Sequence, residues 1–282
     1  MMKASAALYG VMGNPVHHSL SPLIHGYWIK NHNLDAAYLP LAVESGDLQN
    51  AVSLLPRMGF KGWNVTLPYK EAILPYLDDI SDRASAIGAV NLVSFKDGAL
   101  YGDNTDGQGF IADIKRFDLC PRHIVVLGAG GAARSLIHAC LALDSVEHIR
   151  LLNRTLDRAL ELQKSLGDER IWVGGFDNLE GASQGADLVI NTTSLGMDGF
   201  GHSPIVPFSS LDDAALIYDI IYNPFETGLL KAAKSAGFRT ANGLGMLIEQ
   251  ARPSFENWFG LWPDRDEGLE TILYSALSAY TP

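Results

Sequence analysis

The apolar residues of this chain fall into runs of two kinds. Short runs rich in β-branched and aromatic residues, cut off by Gly, Asn or Pro, read as strands. Stretches with apolar residues three or four apart read as helices. Early in the chain the strands are Leu8–Met12, Tyr38–Val43, a run ending at Val65, and a hairpin of Leu92–Phe95 and Ala99–Tyr101 turning at Lys96-Asp97-Gly98. The helices among them start at Pro22 with Ser21 as N-cap, then cover Asp47–Met58, a stretch opened by Pro68, and Ser81–Ile87. A helix from Gly107 to about Arg116 leads into a second group. There, strands Ile124–Leu127, Ile149–Leu152, Ile171–Val173, Leu188–Ile190 and Leu216–Tyr218 are spaced by helices over 132–143 and 156–166. A helix holding Gln250 and a last one over 268–279 close the chain. Such alternation predicts an α/β fold with an open, doubly wound sheet.

One turn in this pattern carries chemistry. Ile124-Val125-Val126-Leu127 is a continuous apolar run, as a strand buried on both faces must be. Gly128, Gly130 and Ala133 then fit G-x-G-x-x-[GA] between strand and helix. Glycine lets the backbone turn and approach a ligand, and the helix N-terminus aims free N–H groups and a positive dipole end at it. The turn is a candidate pyrophosphate site. The next strand ends in Asn153-Arg154-Thr155. An NAD-binding unit offers an acid at that point for the ribose 2′-OH. Here Arg154 stands instead, with Arg158 four residues on along the next helix, so both can face one point. A 2′-phosphate suits guanidinium forks, and the expected dinucleotide is NADP. Plain solvated arginines are the other reading.

Composition narrows the class. A chain of 282 residues suggests two domains, and 47% hydrophobic against 19% charged residues supplies a sizeable core. A formal charge of −11 argues against nucleic-acid binding, which needs a basic surface. Cys120 and Cys140 form no metal or disulfide framework and suit a reducing compartment. The apolar start after Lys3 reads as a strand, not a signal peptide, and no run nears the ~18 residues of a membrane span. The expected setting is the cytoplasm.

Other polar stretches are less decisive alone. Ser19 and Ser21 beside a helix start could hold a carboxylate, or could be a turn residue and a cap. Thr66 and Lys70 flank a strand-to-helix turn, where α/β enzymes place chemistry, although a lone lysine also reads as surface. Asp106 opens a helix and could be only its N-cap. His17-His18 has no companion ligands at metal spacing, and no metal is expected.

Taken together, these stretches resemble the shikimate dehydrogenase family, from Gly10 to about Ala251. Gly13-Asn14-Pro15-Val16-His17-His18-Ser19-Leu20-Ser21-Pro22 is similar to its substrate-carboxylate segment. Asn64-Val65-Thr66-Leu67-Pro68-Tyr69-Lys70 is similar to its catalytic-lysine segment, and Asn104-Thr105-Asp106-Gly107 to its catalytic-aspartate segment. Gly128–Arg134 and Asn153-Arg154-Thr155 resemble its NADP loops, so the expected cofactor contacts are Gly128, Ala129, Gly130, Gly131, Ala132, Asn153, Arg154 and Thr155, with Arg158 added by its spacing from Arg154. Asn191–Met197, with Thr192 and Ser194, resembles a loop beside the nicotinamide, and Gly243–Gln250, with Met246, its closing helix.

The resemblance implies a split N-terminal α/β substrate domain (1–104 and 243–282) and a Rossmann-type NADP-binding domain (105–242). It implies reversible NADP-dependent reduction of 3-dehydroshikimate to shikimate, at a CH–OH group, in chorismate and aromatic amino acid biosynthesis. Lys70 and Asp106 would be the catalytic pair. Ser19 and Ser21, with Tyr222, would bind the carboxylate, and Thr66, Asn91, Asp106 and Gln250 the ring hydroxyls. The partners would be small molecules, with no nucleic acid and no membrane, and the chain a monomer or homodimer. Two positions depart from the family: Leu92 stands where Thr follows Asn91, and Gly228 where Pro follows Thr227. They keep a quinate/shikimate dehydrogenase, or a paralogue with NAD or another substrate, as alternatives. The nearest acid to Arg154 that could serve NAD is Asp157, past the strand end. A non-catalytic sensor on this fold would be expected to lack Lys70 or Asp106.

Overall fold

The computed structural model describes residues 3–197 and 199–279. The ends of the expected substrate domain, 1–2 and 280–282, lie outside the described residues. The chain divides into two compact units, Met1–Asp106 with Leu247–Ala276, and Gly107–Met246 with Leu277–Pro282.

The first unit begins with β1 (Ala7–Gly13), α1 (Ser21–Asn31), β2 (Ala36–Ala42), α2 (Leu48–Leu54) and β3 (Phe60–Val65). It continues through β4 (Asp79–Ile80), α3 (Asp82–Ile87), β5 (Leu92–Lys96) and β6 (Ala99–Asp103). These strands form one mixed sheet in the order β2-β1-β3-β5-β6-β4. β5 and β6 pair antiparallel across Asp97-Gly98, whose φ values of 52° and 84° suit a two-residue hairpin. Met12, Trp63, Val65, Ile73 and Val93 fill its core.

Three local expectations are corrected here. Ser21 is the first helical residue, not the cap. Buried Leu20 sits at the cap and its carbonyl accepts from Leu23 and Ile24, while Ser19 Oγ accepts the Ser21 N–H. No α-helix follows Pro68: one turn from Tyr69 to Ile73 gives way to a 3₁₀ turn at Leu74–Tyr76. Pro75 has no N–H to continue it, which leaves too few residues for a helix. The helix expected over 47–58 is shorter for the same reason. Pro56 ends α2, and a 3₁₀ turn follows that stops at Gly59 with φ 94°.

A helix α4 (Asp106–Ile114) leads into the second unit. Its strands are β7 (His123–Leu127), β8 (His148–Leu152), β9 (Ile171–Gly174), β10 (Leu188–Asn191), β11 (Leu216–Asp219) and β12 (Arg239–Asn242). They alternate with α5 (Gly131–Leu141), α6 (Leu156–Leu166), α7 (Leu179–Ala182) and α8 (Gly228–Ser235). β12, α7 and α8 were not expected from the pattern. The sheet is wholly parallel, in the order β12-β11-β10-β7-β8-β9. This is the doubly wound order, with the direction of winding reversing between β7 and β10. Period-two alternation explains the unbroken apolar run. Ile124 and Val126 join the core on one face, with Ile149, Leu151 and Ile190; Val125 and Leu127 join that on the other, with Leu152 and Val189. The chain ends with α9 (Leu244–Phe259) and α10 (Glu267–Ala279). Among the described residues no helix is long and apolar enough to cross a membrane.

Candidate active site

In the first unit, a lysine and an aspartate far apart in sequence meet. Lys70 Nζ donates to Asp106 Oδ2 at 2.5 Å, with side chains 16% and 5% exposed. Lys70 sits in the turns after β3, where its carbonyl accepts the Val90 N–H. Asp106 sits at the first position of α4, with its N–H on Asn104 Oδ1. At an effective dielectric of ~20 the attraction is on the order of several kcal/mol, and desolvation of the two charges offsets part of it. The free N–H bonds of the ammonium are what a substrate carbonyl oxygen needs when negative charge develops on it.

Asn91 locks the second carboxylate oxygen. Its Nδ2 donates to Asp106 Oδ1 at 2.8 Å, and its Oδ1 accepts the Thr105 N–H at 2.8 Å. Gln250 Oε1 lies 3.3 Å from the same amide nitrogen, and the Gln250 carbonyl accepts from Thr105 Oγ1 at 2.9 Å. Asn91, Thr105, Asp106 and Gln250 are all buried. Thr66 donates its N–H to Met12, at the head of the Lys70 turn.

A second chain of contacts runs to Ser21. Tyr38 donates to Asn64 Oδ1 at 2.7 Å, and the Ser21 side chain is its other hydrogen-bond partner. Asn64 Nδ2 donates to the Asn91 carbonyl and to Ser254 Oγ, both at 3.0 Å. Burial holds the Tyr38 hydroxyl well above the ordinary tyrosine range, so it stays a donor. Asn64, Tyr38 and Thr105 were not singled out as site residues from the sequence. The available signal was Asn64, a polar residue inside the apolar run of β3. Behind Tyr38 lies His25, stacked on its ring at 4.2 Å between centroids. Neither ring nitrogen of His25 has a partner among the described residues, and burial pushes its pKa down to about 3.

In the second unit the candidate dinucleotide turn lies at the carboxyl end of β7. Gly128 has φ 106°, and a Cβ there would lie 2.7 Å from Thr192 Oγ1. Gly130 is exposed at the N-cap of α5 with open space where a Cβ would be, and Ala133 is buried against the sheet. Ala129, Gly131 and Ala132 are half-buried around it. This is a cradle of bare backbone at a helix N-terminus, the form a pyrophosphate requires. Thr192 anchors the facing loop through its hydroxyl on the Leu127 carbonyl, and Ser194 accepts the Met197 N–H. Asn153 Nδ2 donates to the Thr155 carbonyl at the start of α6. Arg154 and Arg158 are exposed, and among the described residues neither side chain makes an ion pair or hydrogen bond.

Other site residues have structural duties. Gly243 presses on Ile220, whose carbonyl oxygen would lie 1.8 Å from a Cβ. Met246 is buried in the apolar core of this unit. Tyr222 is half-buried in the loop after β11. Asp219, at the end of β11, accepts from Asn191, the Ile221 N–H and Thr227, and burial pushes its pKa up to about 6. The two departures from the family pattern are easily accommodated. Leu92 is buried apolar surface, and Gly228 is the first residue of α8 behind the Thr227 cap, a place where proline also fits.

Family models match three stretches of the chain. A shikimate dehydrogenase substrate binding domain covers residues 11–93, a shikimate / quinate 5-dehydrogenase domain 111–217, and a shikimate 5′-dehydrogenase C-terminal domain 243–273. A curated relative from Cereibacter sphaeroides, named shikimate dehydrogenase (NADP(+)), is 43% identical over 277 residues, 95% of this chain and 97% of the relative. The chain belongs to the shikimate dehydrogenase family. Solved members superpose closely. A shikimate dehydrogenase in complex with NADP⁺ matches with TM-score 0.89 at 34% identity, covering 100% of this chain and 98% of that one. The Thermus thermophilus enzyme in complex with NADP(H) and shikimate matches with TM-score 0.84 at 34% identity, covering 96% and 99%.

Proposed function

We propose that this family member is an NADP-dependent shikimate dehydrogenase, interconverting shikimate and 3-dehydroshikimate on the route to chorismate and the aromatic amino acids. The observation that carries the reading is the part-buried Lys70–Asp106 pair with Asn91 on its second oxygen. Ser19 and Ser21 hold the substrate carboxylate, with Tyr222, and Thr66, Asn91, Asp106 and Gln250 hold the ring hydroxyls. Lys70 donates to the oxygen on the ring carbon that changes oxidation state, giving that oxygen a proton as the carbon is reduced and taking the proton back as it is oxidised. Asp106 keeps the ammonium aimed, and the two share the titration. NADP supplies or accepts the hydride when bound. Gly128, whose own N–H is on the Leu152 carbonyl, turns the chain so that the amides from Ala129 through Ala132 hold its pyrophosphate; Asn153, Arg154, Thr155 and Arg158 hold its 2′-phosphoribose, and Thr192 and Ser194 its nicotinamide end. Gly243 and Met246 support that site through close packing. The unit Met1–Asp106 with Leu247–Ala276 serves the substrate, and Gly107–Met246 serves the nucleotide. The free Cys120 and Cys140 support a cytoplasmic setting, where the chain acts as a monomer or homodimer.

The test is NADPH absorbance with shikimate and with quinate, each against NADP⁺ and NAD⁺. Turnover is expected to be greatest with shikimate and NADP⁺. A quinate preference would move the protein to the neighbouring activity, and no turnover in any combination would end the reading.

A further inference from the structure

Three side chains at the amino edge of the second sheet form a constellation that hydride transfer does not use. His123 opens β7 and His148 opens β8, and the two residues are paired in the parallel register. Their rings lie 5.6 Å apart and within 25° of parallel. Glu147 precedes His148, and its Oε2 is 3.6 Å from His123 Nε2. Its other oxygen, Oε1, accepts from Arg122 Nε and a terminal guanidinium nitrogen at 2.9 and 2.5 Å. The guanidinium fixes the carboxylate and leaves Oε2 turned to the imidazoles. Neither imidazole is hydrogen-bonded among the described residues. One nitrogen from each histidine and one carboxylate oxygen all lie within 4.8 Å of one another.

We propose that His123, Glu147 and His148 bind a divalent transition-metal ion of the zinc class, clamping β7 to β8. Two imidazoles and a carboxylate are ligands for Zn²⁺ and its neighbours, whereas Ca²⁺ and Mg²⁺ take oxygen cages. Metal–ligand bonds of ~2.0–2.2 Å allow donor separations up to about 4.2 Å. Rotation of the exposed Glu147 and His148 side chains closes the remaining gap. Water completes the coordination. Arg122 supplies the outer hydrogen bond that ligating carboxylates favour, while its charge sets a limit on affinity. Four residue steps along β7 separate His123 from Leu127, about 13 Å at the strand rise, so the ion lies at the opposite end of the strand from the Gly128 turn. Its effect is on stability: a ligand that binds only the folded chain raises its unfolding temperature. The sequence concealed this site because 123 and 147–148 match no ligand spacing; strand pairing alone joins them. The proposal stands independently of the dehydrogenase reading.

The experiment titrates Zn²⁺ and Co²⁺ into the full chain, following calorimetric stoichiometry, unfolding temperature and Co²⁺ visible absorption. His123→Gln and His148→Gln are run beside the unaltered protein, with their metal-free unfolding temperatures as the check on folding. We expect one ion per chain, a rise in unfolding temperature, and binding weakened about tenfold or more in each variant. Shikimate turnover in metal-free His148→Gln should match that of the unaltered protein. No stoichiometric binding to the unaltered chain would overturn the proposal. So would equal binding by both variants, which would place the ion on other histidines.

Discussion

The two units carry their polar chemistry in opposite ways. In the unit of Met1–Asp106 and Leu247–Ala276, the site residues are bonded to each other and all but the half-buried Lys70 are buried: Lys70 to Asp106, Asp106 to Asn91, Asn91 to Thr105 and Gln250. In the unit of Gly107–Met246, the corresponding surface is bare backbone around Gly130, beside two arginine side chains without partners among the described residues. The first arrangement sets the position of a proton donor in advance, because leaving any of its groups unbonded costs about 1–3 kcal/mol. The second leaves donors open so that a polyanion can take them up. Precise chemistry favours the former, and binding a large ligand favours the latter.

Removing the ammonium tests the prearranged side most severely. Lys70→Ala should lower kcat for shikimate ~10²–10⁴-fold with little change in KM, in steady-state kinetics. An unaltered kcat would remove Lys70 from the chemistry.

The next largest effect concerns acid. His25 is neutral in the folded chain, with its pKa pushed from 6.5 to about 3. A depressed folded-state value contributes stability that is present above the unfolded pKa and lost as pH falls toward the folded one. Thermal unfolding should therefore show a loss between pH 6.5 and 3, on the order of 4–5 kcal/mol. His25→Phe should flatten that slope; an unchanged slope would assign the acid sensitivity to other groups.

The open side is probed by charge reversal. Arg154→Asp should raise KM for NADP⁺ about tenfold or more and leave KM for NAD⁺ nearly unchanged, since a hydrogen bond to a charged group is worth about 1.5–3 kcal/mol. Equal effects on both cofactors would cancel the 2′-phosphate assignment. The smallest effect is Asp219, the second unit's counterpart to His25 with the opposite sign. Its folded pKa is raised from 3.8 to about 6, so its contribution is full below the unfolded value and lost as pH rises through 6. Asp219→Asn should gain on the order of 1–3 kcal/mol over the unaltered chain at pH 8, and nothing near pH 4. Identical pH profiles of unfolding for the two proteins would refute this.

The two units also differ in how much of their chemistry neighbouring residues reveal. The Gly128 turn lies on contiguous residues, and Arg154 closes the very next strand, so its chemistry could be read locally. The Lys70 site draws on residues near 20, 66–70, 91, 106 and 250. Each had an ordinary local reading as a cap, turn or surface residue, and family resemblance joined them. Asn64 and Tyr38 went unmarked because their role lies in whom they touch. The helix expected after Pro68 is absent because Pro75 cannot continue it, and β12 is hidden because Arg239-Thr240-Ala241-Asn242 has too little apolar character to stand out.

By itself the sequence determined the alternation of strands and helices, the glycine turn after β7 and the arginine that closes the next strand. Those depend on hydrophobic period and on backbone freedom at glycine, which are properties of neighbouring residues. Only the tertiary structure decided that Asp106 has a donor on each oxygen, that His25 is buried without one, and that His123 stands beside His148. Burial and pairing across strands are set by packing, and packing joins residues that sequence distance keeps apart.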